Sequence, residues 1–175
     1  MLDACTALPV DLEQREFLRL ENQLCFQIYT ASRVMTQAYR PFLKALELTY
    51  PQYLLMMVLW QKQGELDDKK TTSPVLATST VTEIGCKLRL DSGTLSPLLK
   101  RLEKQGLIKR QRNEKDERQL EVLLTPKGLQ LSTQAAEVPM NLLCKFNLEG
   151  EQLWALKQQL EQLIAAIDEW DYSRH

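Results

Sequence analysis

The sequence predicts a mainly α-helical fold carrying one small β-hairpin, and three observations lead there. Apolar residues recur at spacings of three and four in several segments, two short mid-chain helical segments each begin on a capping residue, and two strand-like runs flank a charged turn. With 175 residues, 44% hydrophobic and 26% charged, the chain has the composition of an ordinary globular protein that can bury a real core.

In the first helical segment Leu20, Leu24, Ile28 and then Val34 or Met35 form an apolar stripe. The Arg40-Pro41 step is expected to end it, because a residue before proline avoids helical backbone. A second helix is expected from Pro51, whose missing N–H costs nothing in a first turn, to about Gln63, ahead of Gly64. Residues 64–79, GELDDKKTTSPVLATS, are polar and lack a sustained period, so they read as an inserted loop. Thr80, with Glu83 three residues on, supplies a capping box for TVTEIGCKLRL. Asp91 caps SGTLSPLLKRLEKQ, and Gly106 is placed to stop it in a left-handed conformation. Two short helices with a tight connection read as a helix-turn-helix. LIKRQR and QLEVLL on either side of NEKDER then read as a two-stranded hairpin with an exposed tip. Thr125 and Pro126 start another helix, expected to reach about Glu137 before Pro139 interrupts it. A long helix over 148–170 places Leu153, Leu156, Leu160 and Leu163 on one side. Such a stripe has to be buried, either on its own domain or against a partner helix.

Composition excludes several functions. The longest apolar run, residues 53–60, is far short of the roughly 20 residues that cross a bilayer. The N-terminus lacks a basic region followed by an apolar block, so a soluble, cytoplasmic protein with no membrane partner is expected. Cys5, Cys25, Cys86 and Cys144 form no C-x-x-C pair, and the single histidine is His175. A zinc cluster, a Cys-His dyad and a structural disulfide framework are therefore not expected, nor is any cofactor. Net charge is only −1, but residues 87–127 hold eleven Lys and Arg against six Asp and Glu. That local +5 leaves −6 for the rest of the chain, a basic middle between acidic flanks that suits a nucleic-acid site.

The second short helix fits that site. Leu95, Leu98, Leu99 and Leu102 share one face, while Ser92, Gly93, Thr94, Ser96, Pro97, Lys100, Arg101 and Lys104 lie on the other face, its shoulders and its start. Small and hydroxylated residues permit close approach in a major groove, and cations meet phosphates. The bland alternative is an ordinary solvated helix. The hairpin adds Arg110 and Arg112 on one arm and Arg118 near the tip. An arginine there suits the negative potential of a minor groove, with Asp116 placed to hold its side chain. Together these parts make a winged helix-turn-helix.

Cys25 raises a separate question, since a cysteine on a mixed helical segment usually packs as a small hydrophobe. Cys86, on the first helix of the helix-turn-helix, is read as packed and inert. Tyr29 and Ser32, which share a face with Cys25, are read as interface packing. Cys5 lies in a segment expected to be mobile.

LDSGTLSPLLKRLEKQGLIKR, the wing DER and LTPKG resemble the MarR group of winged-helix repressors, over nearly the whole chain. LENQLCFQIYTASR, AYRPFLKALELTYPQYLLMMVLW and DSGTLSPLLKRLE are similar to its organic hydroperoxide-sensing branch, the OhrR regulators. The resemblance implies a homodimeric repressor with dimerisation helices over 11–50 and 126–172 around a DNA-binding domain over 51–125. It implies a pseudo-palindromic double-stranded operator and organic hydroperoxides as effectors. Cys25 matches the peroxide-reactive cysteine, and Tyr39 and Tyr50 match the tyrosines that hydrogen-bond to it. Cys144, by its place before NLEGEQL, matches the resolving cysteine of two-cysteine members, which forms an intersubunit disulfide. Phe26, Tyr53, Met56, Met57 and Trp60 are expected to line the apolar effector pocket.

Geometry constrains this independently. Cys25 and Tyr39, fourteen residues apart, are separated by about 21 Å on a continuous helix at 1.5 Å per residue. If Tyr39 bonds the thiolate, it belongs to the other subunit. Two alternatives stay open: a MarR-type repressor released by reversible binding of a small phenolic ligand, and a thiol peroxidase. The second would leave the basic winged helix without purpose.

Overall fold

The computed structural model describes residues 14–68, 76–113, 116–146 and 149–172. Two short 3-10 turns, Gln14–Leu18 and Leu20–Asn22, precede α1 (Leu24–Ala45) and α2 (Tyr50–Asp68). Then come β1 (Thr78–Thr80), α3 (Val81–Leu88), α4 (Ser92–Lys104), β2 (Ile108–Arg112) and β3 (Leu120–Leu124). The chain closes with α5 (Pro126–Ala135), α6 (Glu137–Leu143) and α7 (Gly150–Tyr172). It divides into two compact units, residues 1–138 and 139–175. The architecture is a winged helix-turn-helix: a mainly helical chain with a small antiparallel sheet.

In the first unit α2 is the central element. Leu55, Met56 and Leu59 have no exposed surface, and they join Leu43 of α1, Ile84 of α3, Leu95, Leu99 and Leu102 of α4, and Val122 and Leu124 of β3 in one core. Neighbours on several sides explain why α2 lacks a polar stripe along its middle. Capping matches the sequence reading. Thr80 Oγ1 accepts the Glu83 N–H at 3.1 Å while Glu83 Oε2 accepts the Thr80 N–H at 3.0 Å. Thr125 caps α5, and Gly106 takes a positive φ of 72° after α4.

Several boundaries differ from the sequence reading. Helix α1 runs through Pro41 to Ala45. The lost backbone bond is outweighed because Phe42 and Leu43 carry the last turn into the core. It stops instead at Glu47, left-handed at φ 54°, where the Leu48 N–H reaches the Leu43 carbonyl at 3.0 Å. That is a Schellman closure without glycine. Helix α2 begins at Tyr50 and continues past Gly64 to Asp68. Side-chain pairs one turn apart, Gln61 to Glu65 at 3.1 Å and Gln63 to Asp67 at 2.9 Å, offset a glycine cost of about 1 kcal/mol. The segment read as an inserted loop therefore opens as helix and closes as strand; residues 69–75 lie outside the described residues.

Strand β1 was not foreseen. It pairs antiparallel with β3, Ser79 opposite Val122, so the sheet has three strands in the order β1-β3-β2. Its approach is fixed by the buried Gln63, whose Oε1 accepts the Ala77 N–H at 2.8 Å. The hairpin is as expected, with Arg110 opposite Val122 and Arg112 opposite Leu120. Helix α5 ends at Ala135, and Pro139 sits in the first turn of α6 rather than interrupting a helix, a position where its missing N–H has no helical partner to lose.

In the second unit α7 is a 23-residue helix. Trp154, Leu156, Leu160, Ile164 and Ile167 are all exposed. Among the described residues no helix is long and apolar enough to cross a membrane.

Candidate redox site and nucleic-acid interface

Cys25 is the second residue of α1, and its thiol is exposed. The nearest polar contact is weak, Sγ to Gln23 Oε1 at 4.0 Å. Tyr39 lies on the same continuous helix, about 21 Å further along. Its ring packs against Tyr50 at 4.9 Å between centroids and against Tyr53 at 6.0 Å. Both tyrosines matched to thiolate binding are therefore together, and both are remote from the Cys25 of their own chain. Burial pushes the Tyr39 phenol up, with Tyr50 adding to the effect, and burial likewise raises Tyr50. Tyr53 is pushed up to about 12 by burial and by the two neighbouring phenols. All three remain O–H donors at neutral pH. Tyr50 also lines an open cavity of about 1050 Å³ with Arg40, Leu43, Glu47 and Gln105.

Four of the residues expected to line an apolar effector pocket have distinct placements within this chain. Met56 has no exposed surface and belongs to the core, whereas Met57 is 42% exposed. Tyr53 is buried, its ring edge against Trp60 at 6.1 Å. Trp60 donates its indole N–H to the Gly128 carbonyl at 2.8 Å, which makes it a strut between α2 and α5. Cys86 is exposed, not packed, because it is Ile84 and Gly85 that turn inward on α3. Tyr29 is exposed too, and its hydroxyl accepts from Arg33 at 2.8 Å. Cys144 lies just after α6, exposed, its N–H bonded to the Met140 carbonyl at 3.0 Å. Cys5 and His175 lie outside the described residues.

Helix α4 presents the predicted face. Leu95, Leu99 and Leu102 are buried, Leu98 half-buried, and Ser92, Gly93, Thr94, Ser96, Pro97, Lys100, Arg101 and Lys104 are exposed. Asp91 accepts the Thr94 N–H at 2.9 Å and the Thr94 hydroxyl at 2.8 Å, and these bonds, the hydroxyl's first, hold its carboxyl below the usual range. The Ser96 hydroxyl donates to the Ser92 carbonyl at 2.8 Å. With the Thr94 hydroxyl proton engaged by the capping Asp91 and that of Ser96 by the helix backbone, the two side chains offer outward small size and hydroxyl acceptors rather than donors.

In the wing, Arg112 and Arg118 are exposed. Asp116 does not grip the Arg118 guanidinium as expected. It accepts the Arg118 backbone N–H at 3.1 Å and the Gln119 amide at 3.1 Å, as an aspartate in a tight turn does. Asp116 therefore shapes the turn that carries Arg118. Arg110 is engaged internally: Glu103 Oε2 accepts its Nε at 2.9 Å and its Nη2 at 2.5 Å, while Oε1 accepts its backbone N–H at 2.9 Å. The Arg110 bonds hold the Glu103 carboxyl below the usual range, and the pair fixes α4 to β2.

The chain matches the family model for the transcriptional regulator SarA/Rot over residues 37–135. It is 42% identical over 152 residues to the organic hydroperoxide resistance transcriptional regulator of Bacillus subtilis (strain 168), spanning 87% of this chain and 94% of that protein. The chain belongs to the MarR family, in its OhrR-like branch. Its relatives are transcriptional regulators, not enzymes. Among solved structures, this MarR-family chain is similar to reduced AbfR bound to DNA, with a TM-score of 0.67 at 34% identity over 89% of this chain and 99% of that one. Disulfide-formed AbfR gives 0.56 at 36% identity over 86% and 96%. AbfR is a protein of Staphylococcus epidermidis.

Three structural roles in this family member escaped the sequence reading. A Cβ on Gly85 would lie 2.9 Å from the Leu90 carbonyl oxygen and 3.3 Å from Leu95 Cδ1, so only glycine permits the close packing of α3 on α4. Glu103 and Arg110 were legible only as charges seven apart. Gln105 carries no sequence signal at all, yet its side chain crosses to the Glu47 carbonyl at 2.8 Å.

Proposed function

We propose that this chain is a homodimeric, DNA-binding repressor that senses organic hydroperoxides through Cys25 and releases its operator when oxidised. One observation carries the reading. Cys25 and the Tyr39–Tyr50 pair occupy one α1–α2 unit but stand about 21 Å apart, so each half lacks what the other supplies. In a symmetric dimer the tyrosines of one protomer serve the thiol of its twin. The relatives support it: one is named for organic hydroperoxide resistance, and another has been solved in a reduced, DNA-bound state and in a disulfide state.

The chemistry follows from the donors. Phenolic O–H groups stabilise the Cys25 thiolate, which attacks the terminal peroxide oxygen. The O–O bond breaks, the sulfur becomes a sulfenic acid, and the alkoxide leaves as an alcohol after taking up a proton. The Cys144 thiol of the second protomer then displaces hydroxide from that sulfur, giving a disulfide and water. Ser92, Gly93, Thr94, Ser96, Pro97, Lys100, Arg101 and Lys104 of α4 address the major groove, and Arg112 and Arg118 of the wing the adjacent backbone and minor groove, with Asp116 shaping the tip. A dimer presents two such heads about 34 Å apart to a pseudo-palindromic operator, so a modest rotation removes binding. In this reading the winged helix-turn-helix over 51–125 is flanked by dimerisation helices over 11–50 and 126–172, and the protein acts in the cytoplasm.

The test is stoichiometric cumene hydroperoxide on wild type and Cys144→Ser, followed by non-reducing gels and operator titration. Wild type gives a covalent dimer and loses the operator, while Cys144→Ser gives no covalent dimer. A covalent dimer that persists in Cys144→Ser removes Cys144 from the scheme. A second reading, release by a reversibly bound phenolic ligand, draws on the cavity beside Tyr50. It predicts that peroxide leaves the operator complex intact while a phenol dissociates it.

A further inference from the structure

The corner between α1 and α2 is built with unusual definition. Glu47 holds a left-handed φ of 54°, closing α1. Two residues on, Thr49 starts α2: its N–H and hydroxyl both donate to Gln52 Oε1, at 2.8 and 2.9 Å. Tyr50, half of the tyrosine pair, follows immediately. A displacement of Tyr50 therefore moves the corner.

That corner is bonded to the recognition helix. The carbonyl of Glu47 accepts a hydrogen bond from Gln105 Nε2 at 2.8 Å, across 58 positions of sequence. Gln105 is the residue that ends α4. Its N–H donates to the Arg101 carbonyl at 3.0 Å, and its own carbonyl accepts from Lys127 Nζ at 2.8 Å. Its side chain thus holds the tyrosine corner while its backbone holds the end of the helix. Tyr50, Glu47 and Gln105 also line the same cavity of about 1050 Å³. Across that open space the Gln105 side chain is a directional link, and such a bond weakens steeply once the corner moves or turns. Gln105 Oε1 is buried without a hydrogen-bond partner, so the amide is held here through its N–H.

We propose that Gln105 is the positioning residue that couples the oxidation state of Cys25 to the placement of the recognition helix, by tying the end of α4 to the Tyr50 corner. This rests on the peroxide-sensing reading given above. In the reduced dimer the tyrosines are held by the partner's thiolate and the corner is fixed. Oxidation removes that contact, the corner shifts, and the Gln105–Glu47 bond carries the shift to α4. Coupling of this kind exists only if the link differs between the two states.

The experiment uses full-length Gln105→Met. Methionine keeps length and bulk, removes the donor, and also removes the unpaired buried oxygen, so the fold is preserved; a melting curve checks this. Operator affinity is measured for reduced protein and after stoichiometric cumene hydroperoxide, and the rate of Cys25 thiol loss is followed in parallel. The expected result is wild-type thiol loss, reduced-state affinity within about twofold of wild type, and an oxidative loss of affinity smaller by about tenfold. If the variant releases the operator as fully as wild type, the coupling role is overturned and the sensor reading stands. The role is equally overturned if the variant weakens reduced and oxidised binding by the same factor, since that is a structural effect only. If wild type itself keeps the operator with Cys25 oxidised, the sensor reading fails, and the coupling role with it.

Discussion

Glu103 and Arg110 show how a charged residue in a basic region can be structural. Their three bonds run from the recognition helix to the first wing strand, so Arg110 is engaged with Glu103 rather than presented for DNA. Because the folded carboxyl is depressed below its ordinary value of 4.5, its contribution is fully present above pH 4.5 and lost as pH falls through the folded value. Urea midpoints of wild type and Glu103→Gln should therefore differ most near neutral pH and converge as pH falls below 4.5 and through the folded value. A constant difference across that range would mean the charge is not what the pair uses. At this scale the sequence was partly legible. The resemblance to the OhrR regulators marked Cys25, Tyr39 and Tyr50 as a set, but residue types and spacings did not show that Asp116 bonds the backbone of Arg118, nor that Cys86 faces outward. Those depend on which way a turn or a helix is rotated by residues distant in sequence.

At the level of elements, helix starts were easier to read than helix stops. Thr80, Asp91 and Thr125 cap through their own side chains, which sequence displays directly. Among the described residues three helices close in left-handed conformations, at Glu47, Arg89 and Gly106, and only the last announces itself. Strand β1 was hidden because three polar residues become a strand only when β3 is beside them. The close packing of α3 on α4 gives a direct prediction: Gly85→Ala should cost on the order of 1–3 kcal/mol, seen as a lower urea midpoint with an unchanged slope, since a Cβ there meets the Leu90 carbonyl. For the wing, Arg118→Ala should weaken operator binding and reduce the slope of log K against log salt by about one. An unchanged slope would place Arg118 away from the DNA.

For the whole molecule, the unresolved question in the sequence was what covers the leucine stripe of the last helix. In a single chain the exposed apolar residues of α7 are accompanied on α1 by Leu24, Ile28, Tyr29, Val34 and Met35, themselves exposed. The dimer reading assigns both surfaces to a second copy, and Leu160→Asp should shift sedimentation from dimer to monomer and abolish operator binding. The same reading makes the sensor a site shared between protomers, which mixed dimers test most directly. One dimer pairs a Cys25→Ser protomer with a Tyr39→Phe/Tyr50→Phe protomer; the other pairs wild type with a protomer carrying all three changes. Both contain one Cys25 and one tyrosine pair, but only the first sets them across the interface. The account predicts rapid loss of the remaining Cys25 thiol to cumene hydroperoxide in the first dimer and slow loss in the second. Equal rates, or the reverse order, would contradict it.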